Sequence, residues 1–183
     1  MGHMGKLKLN TLFVLPFLIV VVITPSVITA QNVAGQVVEG IVSKVKDGDT
    51  VVITPLSGEK SFTCRLYGID SPERAYRSKP GQPYGDEAGE GLKQLIYKQR
   101  VKVTLTGEKS YRREICLIKK DGVDINREMV KRGYAWAYRE YLKGPYASEY
   151  LIVEKEARAK RLGLWQQANP QPPWEFRRML RGR

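Results

Sequence analysis

Two short runs of this chain concentrate the residues that hydrolysis of an anionic substrate requires. Asp47-Gly48-Asp49-Thr50 carries two carboxylates, and Arg65-Leu66-Tyr67-Gly68-Ile69-Asp70-Ser71-Pro72-Glu73 adds an arginine and two more. Between them, Val51-Val52-Ile53 and Phe62 to Tyr67 alternate in polarity around a turn at Leu56-Ser57-Gly58-Glu59. This pattern predicts a β-hairpin with carboxylates at both ends, so that Asp49 and Asp70 face one another with Arg65 mid-strand. Carboxylates gathered in one place need neutralising. A hard divalent cation does so through oxygen ligands, and a phosphate would answer the arginine.

The rest of the composition narrows the chemistry. The one histidine is His3, in Met1-Gly2-His3, which reads as an expression remnant ahead of Met4. The folded part therefore has no imidazole, which excludes Ser-His-Asp and Cys-His triads and nearly all zinc chemistry. Cys64 and Cys116 are too few for a closed zinc site; they are expected either to pair in an oxidising compartment or to act as small buried hydrophobes. The chain holds 31 Lys and Arg against 19 Asp and Glu, and only two lysines of that total lie in residues 1–30. The surplus in the remainder suits a polyanion such as nucleic acid or an acidic membrane surface.

The elements that must position these residues follow from periodicity. Residues 1–30 combine Lys6 and Lys8 with the apolar run from Thr11, then Pro25 and Ala30. They read as a signal peptide cut after Ala30, or as an uncleaved membrane anchor; either places the remainder outside the cytoplasm, secreted or periplasmic, or tethered. Residues 31–35 read as a linker and 36–166 as one domain, expected to be monomeric. Strands are expected at Gln36 to Lys46, in the two arms of the hairpin, at Val101 to Leu105 and at Arg113 to Lys119, with a basic turn from Gly107 to Arg112. Helices are expected at Asp86 to Lys98, Val123 to Lys131 and Ala147 to Arg161. Gly89 and Gly91 weaken the first helix. Arg74 to Tyr84 reads as a basic loop over the substrate. Pro170, Pro172 and Pro173 then lead into a basic tail, 167–183, read as a flexible arm outside the domain. The fold class is α+β, mainly β: an OB-fold five-stranded Greek-key barrel with three helices.

Several motifs together carry a family resemblance. Asp47-Gly48-Asp49-Thr50, Arg65 to Glu73, Gln82-Pro83-Tyr84-Gly85-Asp86-Glu87-Ala88, Tyr111-Arg112-Arg113 and Gly163-Leu164-Trp165 stand in an order and spacing that resembles the staphylococcal nuclease (thermonuclease) family. The likeness runs from about Val38 to Trp165. It implies a calcium-dependent phosphodiesterase that cuts DNA and RNA to leave 3′-phosphate ends. Position by position, it implies calcium ligands at Asp49 and Asp70 and from the Ser71 main chain. It implies catalytic roles for Arg65, Glu73 and Arg113, and substrate contacts for Tyr111 and Tyr138. The chain departs from the family where Arg112 replaces the usual glycine, which puts the turn that aims Arg113 in question.

The chemistry of these residues is consistent with those roles. Calcium at Asp49 and Asp70 would polarise a phosphoryl oxygen. Glu73 is the candidate base or water-positioning group, and Arg65 and Arg113 are fixed donors for the developing charge. Glu73→Gln and Arg65→Ala are expected to lower turnover and leave folding intact. The alternative is a non-catalytic OB-fold module that binds nucleic acid through basic and aromatic residues.

Overall fold

The computed structural model describes residues 1–2 and 35–182; the proposed signal or anchor segment and the linker up to 34 lie outside the described residues. Strand β1 (Val37–Val45) pairs antiparallel with β2 (Thr50–Pro55) and with β5 (Arg100–Ser110). β2 pairs with β3 (Phe62–Leu66), and β5 pairs with β6 (Arg113–Lys120). A parallel pairing of β3 with β6 closes these five strands into a ring. The expected OB-like α+β fold is therefore present.

The strands form where Val, Ile and Leu recur at every second position, so that one face of each enters a shared core. Val42, Val51, Ile53, Leu66, Val103 and Ile118 fill the interior. Cys64 and Cys116 lie among them and form a disulfide across the β3–β6 seam, with Cα atoms 5.9 Å apart. Short strands β4 (Ile69–Asp70) and β8 (Trp136–Ala137) form a separate pair that sets Asp70 opposite Trp136. β7 (Val123–Asp124) follows an Asp121-Gly122 turn in which both residues have positive φ, as a tight two-residue hairpin requires.

Among the described residues there are four α-helices: α1 (Gly85–Ile96), α2 (Ile125–Lys131), α3 (Pro145–Ala159) and α4 (Pro173–Arg181). In α1 the glycines that weaken helix propensity serve packing. A Cβ on Gly91 would lie 2.5 Å from the Tyr134 ring, so only glycine lets that ring seat against the helix. Asp124 caps α2 by accepting a hydrogen bond from the Arg127 amide at 3.0 Å. Buried Asn126 then ties α2 to the ring, accepting from the Ile118 amide and donating to the carbonyls of Tyr67 and Cys116.

Two expectations need correcting. The expected basic turn from Gly107 to Arg112 is mostly strand: β5 continues to Ser110, and the reversal is the pair Tyr111-Arg112. The tail read as a flexible arm contains α4, which packs on the domain. Pro173 stands in its first turn, where a missing N–H costs nothing, and Gly182 caps its end. Pro173 and Phe176 are buried, and Trp174 packs edge-on against Trp136 at 5.6 Å. The proline cluster that led into the expected flexible arm starts a helix instead.

Candidate active site

The site begins with a close approach. Gly48 sits where a Cβ would fall 2.7 Å from that of Ala88 on α1 and 2.8 Å from that of Ser71. The turn between β1 and β2 therefore lies directly against the Ser71 segment. This delivers Asp49, at the head of β2, to the end of β4, where Asp70 is fully buried. Pairing of Thr50 with Arg65 in the β2–β3 register places the Arg65 guanidinium between the two aspartates. It donates to Asp49 Oδ1 at 2.7 Å and to Asp70 Oδ1 at 2.8 Å.

Each group has further partners. Asp49 accepts from the Thr50 hydroxyl at 2.8 Å and, through Oδ2, from the Ser71 amide at 3.2 Å. Burial works against its charge, but Arg65 and these donors outweigh it and hold its pKa below the ordinary range. Burial, reinforced by neighbouring Asp49, pushes Asp47 up to about 7. Burial also raises Asp70 against the opposing pull of its arginine partners. Arg65 is itself desolvated, yet the two aspartates keep it firmly protonated. Because it is the ion-pair partner that bridges both buried aspartates, Arg65 supports folding. The expectation that Arg65→Ala leaves folding intact is revised accordingly.

Arg113, at the start of β6, donates to the Thr50 hydroxyl at 3.3 Å and to Ser110 Oγ at 3.0 Å. It is thus one hydrogen bond removed from Asp49. The replacement of glycine by Arg112 does not strain Arg112, because the left-handed φ of the turn falls on Tyr111, at 58°. Tyr111 is 94% exposed at the hairpin tip.

Asp49, Arg65, Ser71, Glu73, Tyr111, Arg113 and Tyr138 line one cleft of about 650 Å³, with Asp70 immediately behind. All eight residues singled out in the sequence therefore converge. A second depression, of about 820 Å³ beside β7, α2 and the start of α3, contains none of them.

Sequence reasoning missed the contribution of α4. Arg177 spans Asp70 and Glu73: Nη2 donates to Asp70 Oδ2 at 2.7 Å, and Nη1 to Asp70 Oδ1 at 3.1 Å and Glu73 Oε1 at 2.6 Å. Trp174 stacks on Tyr138, with ring centroids 5.0 Å apart and planes 7° from parallel. One face of Tyr138 is therefore taken by another side chain. Gln82 joins the two regions: its Oε1 accepts from the Glu73 amide at 3.1 Å, and its Nε2 donates to the Gln171 carbonyl at 2.9 Å. The available signal was a Pro start, a Gly stop, Glu175 in the first turn and arginines in the last.

The donor set of the cleft is all oxygen, which suits a hard cation rather than zinc or copper. Among the described residues no three His, Cys, Asp or Glu side chains form a ready metal cage. Asp49 and Asp70 would therefore share a cation with main-chain oxygen and water. The residues fit such an ion, with Arg177 currently drawn onto Asp70.

Comparison with known proteins bears on this arrangement. Residues 63–167 match the family model described as "Staphylococcal nuclease homologue". The chain is 36% identical over 137 residues to an "Uncharacterized endonuclease" of Haemophilus influenzae, covering 75% of this chain and 71% of that protein. It is 36% identical over 148 residues to a "Micrococcal nuclease" of Shigella flexneri, covering 76% and 80%. A "Staphylococcal-like nuclease" of Arabidopsis thaliana is 42% identical over 123 residues, which span 67% of this chain and 35% of the plant protein.

Proposed function

The chain belongs to the staphylococcal nuclease homologue family, and on that premise we propose that it is a calcium-dependent nuclease that hydrolyses phosphodiester bonds of DNA and RNA to leave 3′-phosphate ends. The observation that carries this reading is Arg65 bridging Asp49 and Asp70 on the same cleft wall as Glu73 and Arg113. A binding module needs basic and aromatic residues but has no use for a buried carboxylate pair organised around an arginine.

Asp49 and Asp70 would hold the calcium, which supplies charge relief at a phosphoryl oxygen and a fixed position for water. The chain's own residues do the rest. Glu73 faces the cleft and accepts or orients the proton of the attacking water. Among the described residues Arg113 meets only the Thr50 hydroxyl and the Ser110 oxygens, so its guanidinium is available to the substrate phosphate. Arg65 keeps its planar fork in register through the two aspartates and adds a second donor as charge develops on the equatorial oxygens. Tyr111 presents an exposed ring at the mouth of the cleft, and Tyr138 backed by Trp174 forms one wall. The enzyme acts as a monomer. Export is proposed from the basic start and apolar run of residues 1–30.

The test is degradation of single-stranded DNA and RNA with calcium, with magnesium and with chelator, alongside Glu73→Gln. The proposal expects cleavage that requires calcium, is lost in the variant and leaves 3′-phosphate termini. Binding without cleavage under every metal would instead assign a nucleic-acid-binding module.

A further inference from the structure

We infer that Arg177 is a built-in placeholder for the divalent cation: its guanidinium occupies the carboxylates the metal needs, so that metal binding is an exchange of cation for arginine. This rests on the reading of Asp49 and Asp70 as the metal's ligands.

The hydrogen bonds define the contact. Asp70 is fully buried, and both of its oxygens are engaged. Oδ1 accepts from Arg65 and Arg177, and Oδ2 from Arg177. The second Arg177 donor on Nη1 also holds Glu73, at 2.6 Å. A metal bound to Asp70 would compete with Arg177 for oxygens that already accept three hydrogen bonds, and it would stand beside a second cation in a partly desolvated site.

Charge balance supports the exchange. Asp49, Asp70 and Glu73 carry three negative charges when ionised, and Arg65 removes one. The two that remain match one divalent ion. Arg177 supplies half of that, so one negative charge of the three stays unbalanced in the resting cluster. Arg65 cannot play the same part: its side chain is 15% exposed and bridges both aspartates, whereas that of Arg177 is 34% exposed and opens onto the cleft.

The backbone of α4 does not have to move. Buried Pro173 and Phe176, Trp174 against Trp136 and Tyr138, and the Gln82–Gln171 hydrogen bond hold the helix. The arginine side chain alone swings out, towards a cleft that Arg178 and Arg181 also line. Apparent metal affinity is the intrinsic affinity reduced by the fraction of molecules in which Asp70 is free. A contact made nine-tenths of the time weakens binding about tenfold.

The experiment is calorimetric titration of the full chain with calcium chloride, comparing the parent with Arg177→Gln and Arg177→Lys. Asp70→Asn serves as the control that removes the site. Circular dichroism confirms that each variant is folded. Arg177→Gln is expected to bind calcium about tenfold tighter than the parent. Arg177→Lys, which keeps the charge but loses the two-pronged contact, should fall between them. Calcium should also raise the melting temperature of Arg177→Gln more than that of the parent, because a tighter ligand stabilises more at equal concentration. Equal affinities in parent and variants overturn the exchange while leaving the metal reading intact. Weaker binding in Arg177→Gln overturns it by making Arg177 a support of the site. Absence of calcium binding in parent and variants alike overturns both readings.

Discussion

Tyr138 and Trp174 lie face to face, their ring centroids 5.0 Å apart and their planes 7° from parallel, and this stack joins the last helix to the wall of the cleft. Trp174 also meets Trp136 edge-on, and Trp136 meets Trp165 in the same way at 4.4 Å. Four rings therefore run from the cleft into the second apolar cluster.

Trp174→Ala removes the middle of that series. The loss of packing and of two ring–ring contacts is expected to destabilise the protein by about 1–3 kcal/mol. Urea unfolding followed by circular dichroism would measure it. A midpoint unchanged from the parent would mean that α4 contributes nothing to the stability of the fold.

Arg65 and Arg113 are expected to separate under mutation, although both face the cleft. Each alanine variant should lose about 10²–10³ in kcat, the scale for removing one fixed donor to a developing oxyanion. Arg65→Ala alone should also lose about 3 kcal/mol of folding stability, because it leaves Asp49 buried without its ion-pair partner. Arg113→Ala, whose guanidinium meets only Thr50 and Ser110, should unfold with the parent. Paired turnover and urea-unfolding measurements decide this. Equal stability of the two variants would refute the account of Arg65.

Gly48→Ala tests the close approach that brings Asp49 to Asp70. Its added methyl would sit 2.7 Å from the Cβ of Ala88 and 2.8 Å from that of Ser71, closer than carbon atoms allow. Overpacking of this kind costs about 1–3 kcal/mol. Because the strain lies at the metal ligands, calcium affinity should fall along with the melting temperature. A variant with parental calcium binding would show that the turn can shift without moving Asp49.

The Cys64–Cys116 bond closes a loop with a sequence separation of 52. Its removal is expected to cost about 2–4 kcal/mol, chiefly by freeing the unfolded chain. Thermal unfolding with and without a thiol reductant would show a lower midpoint in the reduced protein. Coincident curves would mean that the barrel seam is held by packing alone.

Much of the site was legible in the sequence because its signals are local. Alternation around Gly58 gives the β2–β3 hairpin, and the hairpin sets Asp49, Arg65 and Asp70 near one another. Arg113 was legible as a residue, but its turn was placed too early. Gly107 suggested the reversal, whereas the ladder pairs Ser110 with Arg113 and leaves the positive φ to Tyr111. Arg177 was not legible. Nothing near it announces Asp70 and Glu73, which lie about a hundred residues earlier. A basic amphipathic segment after three prolines looks the same whether or not an acidic cleft and the Trp136 ring await it. Its fold is decided by its docking partner, and periodicity does not report partners.

The span from Asp49 to Arg177 has a consequence for synthesis. The three carboxylates and Arg65 leave the ribosome long before α4 does. Until α4 emerges, Asp70 and Glu73 lack their Arg177 partner, and Tyr138 and Trp136 lack the ring that packs on them. A chain cut short after Trp165 would keep its strands and lose that partner. The molecule reaches its resting electrostatic state only once α4 has docked and Arg177 has met Asp70 and Glu73.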